Sequence, residues 1–179
     1  MESEEHAQTC ARHMQFFRIL YGNRAKARGL AAYKAMMANT VLRPWQDALN
    51  DLVQEEVHAR RFYWYVNEVS NTGKSYMASY LRVHHGAIVY TNSKITDIAC
   101  ACNMEPIVIF DLSRTQADKI DHICTCIEHF KNSSIFSAKY NSHMKLFVPP
   151  HVIIFANLVP HADSRKAVLS QDRWMVINL

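Results

Sequence analysis

The chain has 179 residues, 49% of them hydrophobic and 20% charged, with a formal net charge of +4. Such a length gives about one domain with its own core, the composition is that of an ordinary globular protein, and +4 is too little charge to establish nucleic-acid binding. The acidic start Met1-Glu2-Ser3-Glu4-Glu5 argues against a signal or transit peptide, no apolar run approaches a membrane span, and no membrane partner is expected.

From His6 to Gln46 the sequence contains no Asp or Glu, whereas Arg12, Arg18, Arg24, Lys26, Arg28, Lys34 and Arg43 are all basic. A segment of this kind follows a phosphate backbone or forms a solvated face, and both readings stand. Helices are predicted over 26–38 and 43–57, then a strand over 62–67. That strand leads into Asn71-Thr72-Gly73-Lys74-Ser75, and a helix is predicted over 74–82. A strand, a tight glycine turn and a helix gather backbone N–H groups at one point, where the helix dipole adds about half a positive charge. In a phosphate-binding loop the lysine reaches the terminal phosphates and the following hydroxyl holds Mg²⁺. The full pattern has glycine five residues before Gly73, where this chain has Glu68.

A strand over 87–91 and a helix over 94–101 follow, then Pro106-Ile107-Val108-Ile109-Phe110-Asp111. Four consecutive apolar residues predict a strand over 107–111 buried on both faces, as in a parallel sheet. An aspartate ending such a strand faces the ligand crevice and can hold a metal through water, although buried strands often end in Asp without that role. The pairs Cys100/Cys102 and Cys124/Cys126 are too closely spaced for a usual zinc site and fall on predicted helix, where i and i+2 point apart. Small buried hydrophobes in a reducing compartment are the better reading. A helix over 116–131 precedes two short strands, 135–138 and 145–148, around Tyr140-Asn141-Ser142-His143. A further buried strand over 151–156 ends in Asn157, a residue able to orient a water beside a γ-phosphate or simply to start a turn. Last comes Ser170-Gln171-Asp172-Arg173-Trp174, whose arginine is either a finger that stabilises transition-state charge or a solvated surface group. Strands alternating with helices give an α/β class, with a mostly parallel sheet flanked by helices.

Taken in order, these motifs resemble the helicase half of the replication-associated (Rep) proteins of circular single-stranded DNA viruses of the circovirus, cyclovirus and nanovirus type. Those helicases belong to superfamily 3 of the AAA+ P-loop ATPases. The matching stretches are Leu42-Arg43-Pro44-Trp45-Gln46, Trp64-Tyr65-Val66, Asn71 to Ser75, Ile109 to Arg114, Ile135 to Tyr140, Pro149 to Asn157 and Asp172-Arg173-Trp174. The resemblance implies a helicase domain over 41–179 and a truncated endonuclease-like remnant over 1–40. In the remnant, His13 and Gln15 resemble two ligands of an HUH-type metal site. Tyr33 lacks the lysine three residues later that the family's nicking tyrosine has, and the opening strand is expected to be absent, so an inactive leftover or an added helical layer is the favoured reading.

For the helicase domain, the resemblance implies ATP and Mg²⁺ as cofactors. Glu68, Val69, Ser70, Asn71, Thr72, Gly73, Lys74 and Ser75 would form the nucleotide loop, and Ser75 and Asp111 would hold the metal. Lys74, Asp111, Asn157 and Arg173 would be catalytic, with Arg173 serving a neighbouring subunit. Lys139, His143 and Lys145 would grip single-stranded DNA from the hairpin. The implied protein is a ring-forming helicase, usually hexameric, of rolling-circle replication. It would be encoded by a small circular DNA virus and act in the host nucleus, or be a captured genomic copy in nucleus or cytoplasm. Three positions depart from the pattern: Glu68, Ser70 in place of a second glycine, and Leu112-Ser113-Arg114 where a second acid could follow Asp111. They keep open a nucleic-acid-binding module with little or no ATPase activity, and a viral RNA helicase stays open because related viral families share this core.

Overall fold

Five parallel strands form one sheet, in the order β2-β3-β6-β1-β7. They are β1 (Phe62–Val66), β2 (Ile88–Tyr90), β3 (Ile107–Leu112), β6 (His151–Ala156) and β7 (Trp174–Asn178). The computed structural model describes residues 24–25, 27–68, 71–91, 93–112, 120–139, 142–158 and 169–179. Outside them lie His13, Gln15, Val69, Ser70, Ser113, Arg114, Tyr140, Asn141 and the expected start of the helix over 116–131.

The chain divides into two compact units, Met1–Val41 and Leu42–Leu179. In the first, the described residues include helix α1 over 27–37, on which Tyr33 is exposed. In the second, strand alternation sorts side chains onto two faces of the sheet. Phe62, Trp64, Val108, Phe110, Val152 and Ile154 pack with Ile98 of α4 (Ile95–Ala101) and with Ile123, Ile127 and Phe130 of α5 (Ile120–Lys131). Tyr65, Ile107, Ile109, Ile153 and Phe155 pack with Leu49 of α2 (Pro44–Leu52) and with Met77 and Leu81 of α3 (Lys74–His85). Helices on both faces explain why β6, at the centre, is buried along its whole length. Cys102, Cys124 and Cys126 are buried in the first of these clusters, as small hydrophobes. No helix among the described residues is long and apolar enough to cross a membrane.

Several element boundaries differ from the sequence expectation. Helix α2 stops at Leu52 instead of reaching 57, through tight turns from Gln54 N–H to the Asp51 carbonyl and Glu55 N–H to that of Leu52. Continuing it would place Glu55 and Glu56 at the negative end of the helix dipole. Helix α3 runs past 82 to His85, where Gly86 takes the left-handed conformation (φ 69°) that ends it. The hairpin pairs β4 (Ser134–Ser137) with β5 (His143–Leu146), in a separate two-stranded sheet. His143 thus lies on a strand, opposite Ser137, and not in the turn. Strand β7 has no counterpart among the strands expected from the sequence.

Candidate functional site

Three neighbouring strands, β1, β6 and β3, bring their C-terminal ends together, and each delivers one part of a polar cluster. From β1 the chain turns through Asn71 (φ 69°) and Gly73 (φ 88°) into α3, with Gly73 as the N-cap. A side chain at Gly73 would be strained by that φ, and its Cβ would come 2.8 Å from Gln46 Nε2. Lys74, first residue of α3, is 6% exposed. Its Nζ donates to Asn157 Oδ1 (2.7 Å), just past the end of β6, and to the Asn67 carbonyl (3.1 Å), just past the end of β1. Burial lowers the Lys74 pKa from its ordinary value, with the Asp111 carboxylate acting the other way. Ser75 Oγ donates to Asp111 Oδ2 (3.1 Å) on β3. The segment after β6 is tied down by Trp64 Nε1, which donates to the Leu158 carbonyl (3.0 Å).

Lys74, Ser75, Asp111 and Asn157, nominated from stretches far apart in sequence, are therefore brought together by the strand order. Asn71, Thr72 and Gly73 form the adjoining turn, and Glu68 is exposed at its start. Ser75 and Asp111 offer a hydroxyl and a carboxylate at hydrogen-bonding distance, the hard oxygen donors that suit Mg²⁺. A cation-bearing, N–H-rich helix start beside a carboxylate–hydroxyl pair can receive a phosphate chain together with a divalent metal.

Arg173 is not part of this cluster. It ends a short 3-10 turn (Gln171–Arg173) before β7, whose register pairs Trp174 with Phe62 and Asn178 with Val66. The five residues of β7 separate it from the end of the sheet that carries the polar cluster, roughly 16 Å at about 3.3 Å per residue. Its Nη1 lies 3.7 Å from Glu128 Oε1 on α5, and its Nε is buried with no hydrogen-bond partner among the described residues.

The hairpin residues have partners of their own. Lys139 forms an ion pair with Asp97 in the first turn of α4. Lys145 Nζ donates to the carbonyls of Cys100 (3.1 Å) and Cys102 (2.6 Å), at the end of α4, where a cation meets the negative end of the dipole. Two of the three lysine and histidine candidates thus hold the hairpin to α4. Beside it, Phe136, Met144, Leu146 and Val148 are exposed.

Sequence reasoning gave no role to Asn67, whose carbonyl receives Lys74 and whose Nδ2 donates to the Leu179 main-chain oxygen. It also gave none to Trp45 and Gln46, and it read Arg43 only as one of the basic residues of a segment that follows a phosphate backbone or forms a solvated face. Pro at the first helical position of Leu42 to Gln46 and Gln two residues later nevertheless mark a capped helix start.

No family model matches the chain. The master replication protein of Milk vetch dwarf virus (isolate N) is 33% identical over 135 residues, covering 75% of this chain and 45% of that protein. Para-Rep C6 of Subterranean clover stunt C6 alphasatellite is 30% identical over 148 residues, covering 78% and 48%. The chain therefore spans less than half the length of these relatives. A solved structure of JCV helicase is similar at a TM-score of 0.47 and 15% identity, covering 76% of this chain and 41% of that one.

Proposed function

The chain belongs with the replication-associated (Rep) proteins of nanoviruses and alphasatellites, as a homologue matching just under half their length, and from that premise we propose that Leu42–Leu179 is a Mg·ATP-driven helicase core acting on single-stranded nucleic acid during replication. One observation carries the reading. Lys74 and Ser75, at the start of α3, meet Asn157 and Asp111, at the ends of two adjacent strands, within 2.7 to 3.1 Å.

In this reading Lys74 exchanges its contacts with Asn157 and Asn67 for the terminal phosphates, a charge-assisted interaction stronger than the neutral ones it leaves. Asn157, released from Lys74, can then orient a water near the γ-phosphate. Ser75 and Asp111 would hold Mg²⁺, which when bound neutralises charge on the phosphate oxygens. The N-terminus of α3 contributes its N–H groups and dipole. Arg173, far from its own chain's loop, would serve the nucleotide of a neighbouring subunit in a ring, giving up its pairing with Glu128 to do so.

The test is ATP hydrolysis with and without single-stranded DNA or RNA, for wild type and Lys74→Ala. Hydrolysis stimulated by nucleic acid and lost in Lys74→Ala is expected. Nucleic-acid binding by a wild type that fails to bind or hydrolyse ATP would overturn the reading. Glu68, a carboxylate at the start of the loop, favours that second outcome, a binding module with a degenerate loop. Recovery of ATP binding by Glu68→Gly would then identify the defect.

A further inference from the structure

The start of helix α2 reaches the nucleotide loop through three donors, one on its N-cap residue Arg43 and two in its first turn. Arg43 Nη1 donates to the Asn71 carbonyl (3.0 Å), Trp45 Nε1 to that of Thr72 (3.3 Å) and Gln46 Nε2 to that of Gly73 (3.1 Å). Three consecutive carbonyls are thus drawn toward one helix, across 27 or 28 residues of sequence. A trans peptide is planar, with its C=O and N–H pointing in opposite directions. No peptide bond among the described residues is cis. Drawing the carbonyls of residues 71, 72 and 73 toward α2 therefore turns the N–H groups of Thr72, Gly73 and Lys74 the other way.

Gln46 is the centre of this arrangement. It is 3% exposed, and both ends of its amide are used. Its Oε1 accepts from the Arg43 N–H (2.9 Å), which caps α2, while its Nε2 donates to Gly73. Flipping the amide would break both contacts, so the helix cap sets which atom faces the loop. The Gly73 carbonyl also accepts from the Met77 N–H (3.0 Å), the first bond of α3. Trp45 is fixed from behind by ring contacts to Tyr65 and Phe155, with centroids 5.8 and 6.1 Å away.

We infer that Arg43, Trp45 and Gln46 are positioning residues of the nucleotide loop, which hold its carbonyls so that three consecutive N–H groups face an oligophosphate. The inference rests on the nucleotide reading above and deepens it. The clamp is independent of the base, so its ligand class is any Mg-bound polyphosphate chain. A loop held in this way binds phosphate without first ordering its backbone.

The experiment compares wild type, Gln46→Glu, Trp45→Phe, Arg43→Met and, as a control, Lys74→Ala, by calorimetric titration with Mg·ATP and with Mg·pyrophosphate. Gln46→Glu keeps an acceptor for the Arg43 N–H but sets an oxygen against the Gly73 carbonyl. Trp45→Phe keeps the ring and removes the N–H. Gln46→Glu is expected to weaken both ligands about tenfold to a hundredfold, and Trp45→Phe or Arg43→Met less than tenfold. KM should rise with kcat at saturation nearly unchanged, a split that a general loss of structure would not produce. If Gln46→Glu does not fold, the other two variants carry the comparison. Unchanged affinities in the folded variants, with wild type binding and Lys74→Ala not, would overturn the clamp alone. No binding by wild type would overturn the nucleotide reading and the clamp with it.

Discussion

Two lysines are buried at opposite ends of the same sheet, Lys74 at 6% exposure and Lys131 at 8%. Burial lowers the pKa of both, that of Lys131 to about 8. At the C-terminal ends of the strands, Lys74 touches a side-chain amide and one carbonyl, with a carboxylate and a glycine-bearing turn beside it. At the N-terminal ends, Lys131 Nζ donates to the carbonyls of His58 (3.0 Å) and Pro150 (2.9 Å), and no ion pair accompanies it among the described residues. His151, next in chain after Pro150, is also buried there, with Nε2–H donating to the Glu55 carbonyl (3.2 Å), and burial lowers its pKa. A buried lysine alone therefore does not mark a site. Lys131 closes loop carbonyls that would otherwise be unsatisfied, whereas Lys74 has partners that a phosphate can replace.

Exchanging the two lysines for neutral residues should separate these roles most sharply. Lys74→Ala is expected to weaken Mg·ATP by about a hundredfold or more, as loss of a charge-assisted contact to phosphate predicts. Lys131→Met should leave that affinity within about twofold, because the sites do not share partners. At ligand concentrations about a hundredfold above Kd, wild type and Lys131→Met should each gain about 2.7 kcal/mol of stability, and Lys74→Ala almost none. Equal loss of the ligand-induced shift in both variants would break the distinction.

Stability against pH is the converse test. A lysine whose folded pKa is lowered binds fewer protons when folded than when unfolded, between about 8 and its ordinary 10.5. Stability from this group therefore rises with pH across that window and is lowest below it. Cys102 and Cys126 act in the opposite sense above pH 9, because burial raises them, Cys126 to about 11, and keeps them protonated in the folded state. The difference between wild type and Lys131→Met cancels the cysteines. Denaturant unfolding should show wild type gaining about 2 kcal/mol on the variant between pH 7.5 and 9.5. At pH 7.5 the variant should already be about 1–3 kcal/mol less stable, through two unsatisfied carbonyls. A flat difference across the window would remove Lys131 from the account.

The contrast also explains what could be read from the sequence. The strands β1, β3 and β6 were legible because each is an aromatic or apolar run, and Asp111 and Asn157, ending β3 and β6, were legible because such ends face a ligand crevice, whereas Asn67 after β1 was not. Lys131 was not legible. A lysine in the last turn of a helix normally points to water, and only the approach of His58 and Pro150 buries it. The clamp by Arg43, Trp45 and Gln46 was invisible for the same reason, since its partners are set by tertiary packing. Strand β7 is obscured in the sequence because only Trp174 of its five residues is buried, although Trp174–Asn178 pairs along the whole of β1. The second hairpin strand, expected over 145–148, lies two residues earlier at His143–Leu146, and Val148 beyond it is 83% exposed.

Two glycines provide a finer version of the comparison. Gly73 (φ 88°) and Gly86 (φ 69°) both occupy the left-handed region, at the start and end of α3. An added Cβ meets Gln46 Nε2 at 2.8 Å in the first case and nothing within 4 Å in the second. Gly86→Ala should cost about 1 kcal/mol of stability and leave nucleotide affinity unchanged. Gly73→Ala carries the same conformational cost and also displaces Gln46, so it should weaken Mg·ATP binding by about tenfold. Thermal unfolding with and without nucleotide distinguishes the two.

The smallest effects are expected in the hairpin, where Lys139 and Lys145 differ as Lys74 and Lys131 do. Lys145 is half-buried and gives its protons to the last carbonyls of α4, whereas the Lys139 side chain is 44% exposed in its pair with Asp97. An exposed pair of this kind contributes little to stability and can be exchanged for a phosphate at small cost. If the hairpin contacts a nucleic-acid backbone, Lys139→Ala should weaken single-strand binding by less than about tenfold and reduce its salt dependence by about 0.7 in log–log slope, the value for one phosphate contact on a single strand. Asp97→Asn, which removes the carboxylate paired with Lys139, should shift affinity in the opposite direction. Lys145→Ala should leave the slope unchanged and instead lower stability by about 1 kcal/mol, because the α4 carbonyls lose their donor. Measuring binding of a labelled single strand over a range of salt concentrations tests all three variants at once. A slope that falls for Lys145→Ala and not for Lys139→Ala would reverse the assignment and make the α4 cap the surface that meets the strand.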